Sequence, residues 1–443
     1  MSNNDTIAAI ATASGVGGVG VIRVSGARVK DIAVQVLGEL PPKRRATSKI
    51  FLNKSGDIVD SGLAIFFQGP YSYTGEDVLE LQGHGGVAVL RMLLRACTDA
   101  GARVAQPGEF TQRAYLNNKL DLAQAESVAD LIEASSEAAV LSANRSLSGE
   151  FSERVSLIRN ELIEIRVFIE AAIDFSDEEI DFIETHQMET RMKRLSEKLV
   201  ELRGVATQGN LLREGVKVVL AGEPNVGKST LMNLLAEEDV SIVTEHEGTT
   251  RDLIQRRITI KGVPILLTDT AGLRLSSDPV EKIGIQRTIS NLKEADIILE
   301  LRTADSAANR FDYMTDIDEN RKIAVVNKID LLGDSGHSMV SGKNRPVYLS
   351  AKTGDGLGEL KARLLEKAGV KMGDEAPFMA RERHLNALRS AESHVDLALI
   401  NIESIDLCAE DLRLGQNSLS EVTGEFVADD LLGEIFSSFC VGK

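Results

Sequence analysis

The sequence predicts a multidomain chain of mixed α+β and α/β class. It comprises an N-terminal α+β domain, a central helical domain and, inserted in the latter, an α/β domain with a mostly parallel sheet. Three observations point there. Short apolar runs punctuated by glycine fill the first 118 residues, apolar strands alternate with helical stretches over 215–370, and helical periodicity flanks that alternation on both sides. The expected domains are 1–118, then 119–210 joined with 371–443, and 211–370 as the insert.

Taken in order, "GGVGVIRVSG" and "VDSGLAIFFQGP" read as strands and turns, and "GGVAVLRMLLRACTDAGARV" as a helix closed by Gly101. From "NNKLDLAQAESVADLIEAS" the pattern turns helical, with Leu122, Ala125, Val128, Leu131 and Ile132 expected on one buried face. Residues 151–172 and 187–206 continue as amphipathic helices around the acidic "DFSDEEIDFIE", which serves equally as a solvated loop. "VKVVLAG", "VPILLTD", "KIAVVNK" and "PVYLS" follow as buried strands, and helix resumes near residue 380.

A chain of 443 residues with 43% hydrophobic content has room for two to four packed domains. Its net charge of -17 repels phosphate backbones, so any contact with nucleic acid has to be local or supplied by a partner. Cys97, Cys408 and Cys440 form no CxxC pair, which suits a reducing compartment. The start lacks a signal peptide's basic and apolar regions, and no apolar run of about 18 residues exists, so a cytoplasmic protein without a membrane span is expected. The terminal "SSFCVGK" fails as a prenylation box because Gly442 is not aliphatic.

The chemistry is carried by motifs on successive strand ends. "GEPNVGKST" (222–230) follows "VKVVLAG" and opens a helix, the context a phosphate loop requires. Gly222 and Gly227 let backbone amides face a β-phosphate, as do their neighbours Asn225, Val226 and Thr230; Lys228 reaches the β and γ oxygens, and Ser229 offers a hydroxyl to Mg2+. "DTAG" (269–272) supplies Asp269 toward the metal shell, Thr270, Ala271 and the Gly272 amide toward the γ-phosphate. "NKID" brings Asn327, Lys328 and Asp330. The Asp330 carboxylate accepts from two adjacent donors on guanine that adenine lacks, worth roughly 10⁴-fold discrimination. "SAK", Ser350, Ala351 and Lys352, sits where a backbone amide meets the guanine carbonyl. "TEHEGTTRD" (244–252) occupies the switch position, with Thr244, Glu245, His246, Glu247, Gly248 and Thr249 near the nucleotide and Thr250 as the second Mg2+ hydroxyl. All these motifs in order imply a GTP site. Leu273 stands where Ras-like enzymes place a water-orienting glutamine, leaving Asp278 and Glu281 as carboxylates that serve equally as helix N-terminal acids. An amide oxygen from Asn225 suits a monovalent cation beside the phosphates.

From near the N-terminus to the last residue the chain resembles the tRNA-modification GTPase family MnmE, also called TrmE. The carrying stretches are "PGEFTQRAYLNNKLDLAQAE", "GEPNVGKST", "GTTRD", "DTAGLR", "NKID", "LSEVTGEFVADDLLGEIF" and "FCVGK". The resemblance implies an N-terminal folate-binding and dimerisation domain and a Ras-like P-loop G domain inserted in the helical one. It further implies a homodimer and an FAD-containing partner, MnmG (GidA), in a heterotetramer or larger complex. Together they would install an aminomethyl-type group at C5 of a tRNA wobble uridine. Also implied are K+ held by Asn225 and backbone oxygens of Thr244, His246 and Thr249, with Glu281 orienting the attacking water. Arg23, Glu80, Lys119 and Lys443 fall on the family's folate contacts, and Cys440 on the tail that reaches that pocket. An anionic folate tail suits Arg or Lys, and a pterin edge suits a carboxylate. Two departures stand out: the potassium loop reads Glu245-His246-Glu247, and Glu300 interrupts an apolar strand. The nucleotide motifs alone also fit a regulatory switch, for example in ribosome assembly; the N-terminal block and the tail favour the modification enzyme.

Overall fold

The computed structural model describes residues 5–174, 182–238, 255–269, 290–303, 318–332, 345–370, 377–425 and 429–442. The chain divides into two compact units. One joins residues 1–132, 146–200 and 386–443; the other joins 133–145 and 201–385.

The first unit opens with a six-stranded sheet of order β3-β4-β5-β2-β1-β6. Its strands are β1 (Ile7–Ile10), β2 (Gly17–Ser25), β3 (Thr47–Leu52), β4 (Ile58–Phe67), β5 (Val78–Gly85) and β6 (Arg103–Val104). Pairing is antiparallel except for β1 with β6. Alternation puts Ala8, Ile22, Val24, Ala64, Phe66, Leu79 and Leu81 on one face, where helices α1 (Val29–Leu37) and α2 (Val87–Asp99) cover them. The opposite face carries Ile7, Ala9 and Arg23, and receives Phe110 of α3 (Glu109–Leu116).

Helix α4 (Leu122–Glu133) buries Leu122 and Ala125 of the expected face but not the rest of it. Leu122, Ala125 and Ala129 are buried against Leu432, Ile435, Phe436 and Phe439, whereas Ile132 is exposed and Val128 and Leu131 are partly so. The terminal helix selects the stripe at i, i+3 and i+7, and its small residues permit the close approach. After α5 (Glu137–Leu147), helices α6 (Glu150–Asp174) and α7 (Phe182–Glu214) run longer than the sequence suggests. Beyond the insert, α8 (Lys228–Glu238) and α9 (Leu357–Lys367) having intervened, come α10 (Glu382–Ile400), α11 (Ile405–Thr423) and α12 (Asp429–Ser437). Helix α11 packs along α6, with Gly415 facing Leu162 and His394 at ordinary contact distance. Helices on either side of the insert therefore share one core.

The second unit holds a six-stranded sheet of order β12-β11-β10-β7-β9-β8. Its strands are β7 (Val216–Gly222), β8 (Gln255–Ile260), β9 (Val263–Asp269), β10 (Ile297–Thr303), β11 (Lys322–Asn327) and β12 (Val347–Tyr348). All neighbours are parallel except the β8–β9 hairpin at the edge. Glu300, unexplained by the sequence, is ion-paired with Arg302 two residues on, on the same face of β10. Among the described residues no helix is long and apolar enough to cross a membrane.

Candidate functional site

Open α/β sheets bind ligands at the carboxyl ends of their strands, where the strand order reverses. Here β7 lies between β9 and β10, so the reversal falls at Gly222. Gly222 has φ 154°, and a Cβ on it would lie 2.5 Å from the Leu301 carbonyl of β10. The chain turns through Asn225, in the left-handed region at φ 64°, to Gly227 at φ 100°, where a Cβ would overlap Asn327 Nδ2. Helix α8 starts at Lys228 with its first amides and its dipole directed at the loop, a setting that favours phosphate. The Lys228 ammonium is buried and donates to the carbonyls of Gly222 at 2.9 Å and Glu223 at 3.0 Å. Burial draws its pKa below the usual lysine value, opposed by the charge of Asp269.

Ser229 Oγ donates to Asp269 Oδ2 at 3.0 Å, joining the start of α8 to the end of β9. Asp269 Oδ1 is buried with no hydrogen-bond partner. A buried, unpartnered carboxylate oxygen beside a hydroxyl is a donor set suited to a hard divalent cation such as Mg2+. The residues present fit that ion.

The base-reading end is organised by Asn327, which is 1% exposed. Its Nδ2 donates to the Val226 carbonyl at 2.7 Å, while its Oδ1 accepts from Lys328 N at 2.8 Å and Ala351 N at 2.9 Å. One amide thus ties the phosphate loop to both base loops. Lys328 takes φ 65°, so the chain turns sharply into the short helical turn Ile329–Leu332 that bears Asp330. Ser350 Oγ donates to Asp330 Oδ1 at 2.7 Å and fixes that carboxylate's orientation. Weaker bonds from Lys352 N at 3.3 Å and Thr353 N at 3.2 Å close the turn over Ser350.

The structure therefore brings together Asn225, Val226, Gly227, Lys228, Ser229, Thr230 and Asp269 at one end, and Asn327, Lys328, Asp330, Ser350, Ala351 and Lys352 at the other. Thr244, Glu245, His246, Glu247, Gly248, Thr249 and Thr250, the run Thr270, Ala271 and Gly272, the candidate water-orienting Glu281 and Lys443 lie outside the described residues.

In the first unit Arg23 and Glu80 are cross-strand neighbours. Arg23 Nε and Nη2 bond to Glu80 Oε1 at 3.0 and 2.9 Å, and Glu80 Oε2 and Arg23 Nη1 make no hydrogen bond among the described residues. Sequence reasoning missed what lies beneath. Tyr73 and Phe110 place their rings 5.5 and 5.9 Å from the guanidinium carbon, and Tyr73 OH shares a 2.8 Å hydrogen bond with Thr111 Oγ1. Aromatic content of 4% makes any aromatic informative here, and "YSYTGED" was the available signal. Lys119 stands apart from that pair. Its ammonium donates to the Pro70 carbonyl at 3.1 Å, and its stem lines a cavity of about 520 Å³ bounded by Tyr115, Gln124 and Thr423–Glu425.

The tail is ordered against the same sheet. Val441 bridges Pro107, Gly108 N donates to the Cys440 carbonyl at 3.4 Å, and Gly442 at φ 99° packs so closely that a Cβ would overlap the Ile10 carbonyl. Cys440 itself is exposed, unlike the buried Cys97 and Cys408.

A cradle at the reversal of strand order, continuous through Asn327 with a base-reading end, defines a P-loop GTPase. Family models match on both sides of it: "GTP-binding protein TrmE N-terminus" over residues 6–119 and "MnmE helical domain" over residues 122–440. Proteins named tRNA modification GTPase MnmE resemble the chain over its whole length. The one from Chromobacterium violaceum is 52% identical, covering 99% of this chain and 98% of its own. Those from Bordetella avium (51%, all of both chains) and Thiobacillus denitrificans (50%, covering 99% and 98%) are similar. The chain belongs to the MnmE family of tRNA modification GTPases.

Proposed function

We propose that this chain is a K+-dependent GTPase that adds an aminomethyl or carboxymethylaminomethyl group at C5 of the wobble uridine, position 34, of certain tRNAs. It works in the cytoplasm as a homodimer, with an FAD-containing partner of the MnmG kind and a tetrahydrofolate derivative, 5-formyl or methylene, as one-carbon source. The observation that carries this reading is the pairing, in one chain, of a nucleotide cradle with an aromatic-floored Arg23–Glu80 face in the N-terminal domain that also holds the docked tail.

In the cradle, α8 amides and Lys228 bind the phosphates, and Asp330 reads guanine. Mg2+ held by Ser229 and Thr250, with Asp269 behind, would offset charge on the β and γ oxygens. The Asn225 side chain is exposed at the loop's apex and forms no hydrogen bond among the described residues, which supports a role as K+ ligand with Thr244, His246 and Thr249. Glu281 orients the attacking water.

In the N-terminal domain, Arg23, Lys119 and Lys443 would take the anionic parts of the folate and Glu80 its donor edge, with Cys440 nearby. The unbonded Nη1 of Arg23 and second oxygen of Glu80 fit such a ligand. The homodimer is supported by an apolar sheet face: Ile50 and Leu63 are exposed, and Ile65 lies opposite Glu80 in register.

Mass analysis of wobble nucleosides from cells lacking the chain tests the reading. The C5-substituted uridine should disappear and return with the restored gene; an unchanged nucleoside profile rejects it.

A further inference from the structure

The chain's net charge of -17 makes any concentration of unopposed cations informative. One stands out. Lys43, Arg44 and Arg45 are consecutive, all three are exposed, and none has a carboxylate partner among the described residues. Their backbone is fixed: Lys43 bridges Phe66 at the end of β4, and Arg44 N donates to the Phe66 carbonyl at 2.7 Å. Arg44 sits at φ 53° and turns its side chain back over Tyr71. There Nη2 donates to the Tyr71 carbonyl at 2.7 Å, and the guanidinium carbon lies 5.8 Å from the ring centroid. Tyr71 is 70% exposed.

An exposed aromatic ring capped by a guanidinium, with a further cation on either side of that arginine in the chain, has the chemistry of a single-stranded nucleic-acid platform. The ring offers a stacking surface for a base, and the lysine and arginines neutralise the adjoining phosphates. Unstacked bases in RNA loops are the usual targets of such surfaces. The position adds a second argument. Tyr71 and Tyr73 belong to one short loop, and Tyr73 turns inward beneath Arg23. A base stacked on Tyr71 would therefore lie on the loop whose other tyrosine underlies Arg23.

We infer that Lys43, Arg44, Arg45 and Tyr71 form the surface of this chain that grips the anticodon loop of its tRNA. The inference rests on the tRNA-modifying role proposed above. Arg44 is the positioning residue for the ring, and Tyr71 is the stacking surface.

The test uses the full chain and an unmodified tRNA transcript, with binding followed by fluorescence anisotropy across a KCl series. Three variants are compared: Tyr71→Ala, Tyr71→Phe, and the triple Lys43→Gln, Arg44→Asn, Arg45→Gln. Asparagine is chosen at position 44 because it tolerates a positive φ. Loss of one stacked base should weaken binding about tenfold in Tyr71→Ala, while Tyr71→Phe keeps parental affinity. The triple variant should lower the slope of log affinity against log salt by about two. GTP hydrolysis should be unchanged in all three, and an unchanged thermal melting curve excludes misfolding of the unit that carries the substitutions. Parental affinity and slope in the triple variant, or equal losses in Tyr71→Ala and Tyr71→Phe, would overturn the inference. So would a parent chain that retains no transcript, or one that binds only anionic phosphatidylserine vesicles through these residues. The role in modification is judged separately, by the nucleosides of cells lacking the chain.

Discussion

Asn327→Ala is the most demanding test of the nucleotide site. The side chain is buried and makes three hydrogen bonds, at 2.7 Å to the Val226 carbonyl and at 2.8 and 2.9 Å from the amides of Lys328 and Ala351. Each contributes about 1 kcal/mol net, and truncation leaves three backbone groups to find water or stay unpaired, so about 3 kcal/mol of tethering is lost. That energy holds the phosphate loop and both base loops in one arrangement. Binding must then reassemble what was preformed, and the apparent Kd rises by the fraction of competent molecules lost, up to about 100-fold. Isothermal calorimetry with GTP and Mg2+ measures the affinity, and thermal melting the stability. Asn327→Asp conserves volume but puts an acceptor against the Val226 carbonyl, so it should be impaired as well. A Kd within threefold of the parent in Asn327→Ala, with an unchanged melting curve, would refute the tethering argument.

Asp330→Asn should shift preference from guanosine to xanthosine nucleotides, whose 2-oxo group needs a donor; competition binding reads this out, and undiminished GTP binding would count against Asp330. K+ should stimulate hydrolysis over Na+ at equal ionic strength, and Asn225→Ala should abolish the difference while basal turnover persists. Glu281→Ala should cut turnover with GTP affinity nearly unchanged, since orienting water acts in the transition state. Lastly, acid should weaken the N-terminal domain through Asp5 and Glu109. A hydrogen bond from Arg103 leads the causes that hold Asp5 below the usual carboxylate range; burial pushes Glu109 up, but Arg103, the Gln106 amide and Arg113 outweigh it. Depressed carboxylates stabilise the fold above their unfolded pKa, near 4, and that contribution drains away as pH falls through the lower folded values. Melting temperature should thus drop below about pH 4, and Glu109→Gln should flatten the drop.

The strand–loop–helix turn at residues 222–230 was legible because its geometry is local. A phosphate loop needs particular residues at fixed spacing, and Gly222, Gly227, Lys228 and Ser229 are adjacent in the chain, so the string alone carries the cradle. Asn327 was legible as a base-loop residue but not as the tether to Val226, because 101 positions separate the two. The same distance rule governs the face of α4. A helical wheel on residues 122–133 finds Leu122 and Ala125 but also favours Val128, Leu131 and Ile132, whereas the structure adds Ala129 instead because α12 arrives from the far end of the chain. Glu300 looked anomalous for a related reason. The sequence shows a charge in an apolar strand, but strand alternation sets Arg302 on the same face, and the pair neutralise one another.

The tail's placement came from the resemblance and not from any local pattern around Cys440. In the structure its ordering depends on partners more than 300 positions away. Gly442 is what admits it. Its positive φ and contact with the Ile10 carbonyl leave no space for a side chain, so the backbone itself can lie against the end of β1. Phe436 and Phe439, packed together with centroids 5.5 Å apart against Tyr115 and Leu122, supply the apolar burial that offsets the entropy of ordering these last residues. The thiol's position is thus set by aromatic packing before it and a glycine after it, and each of those can be altered without touching the sulfur.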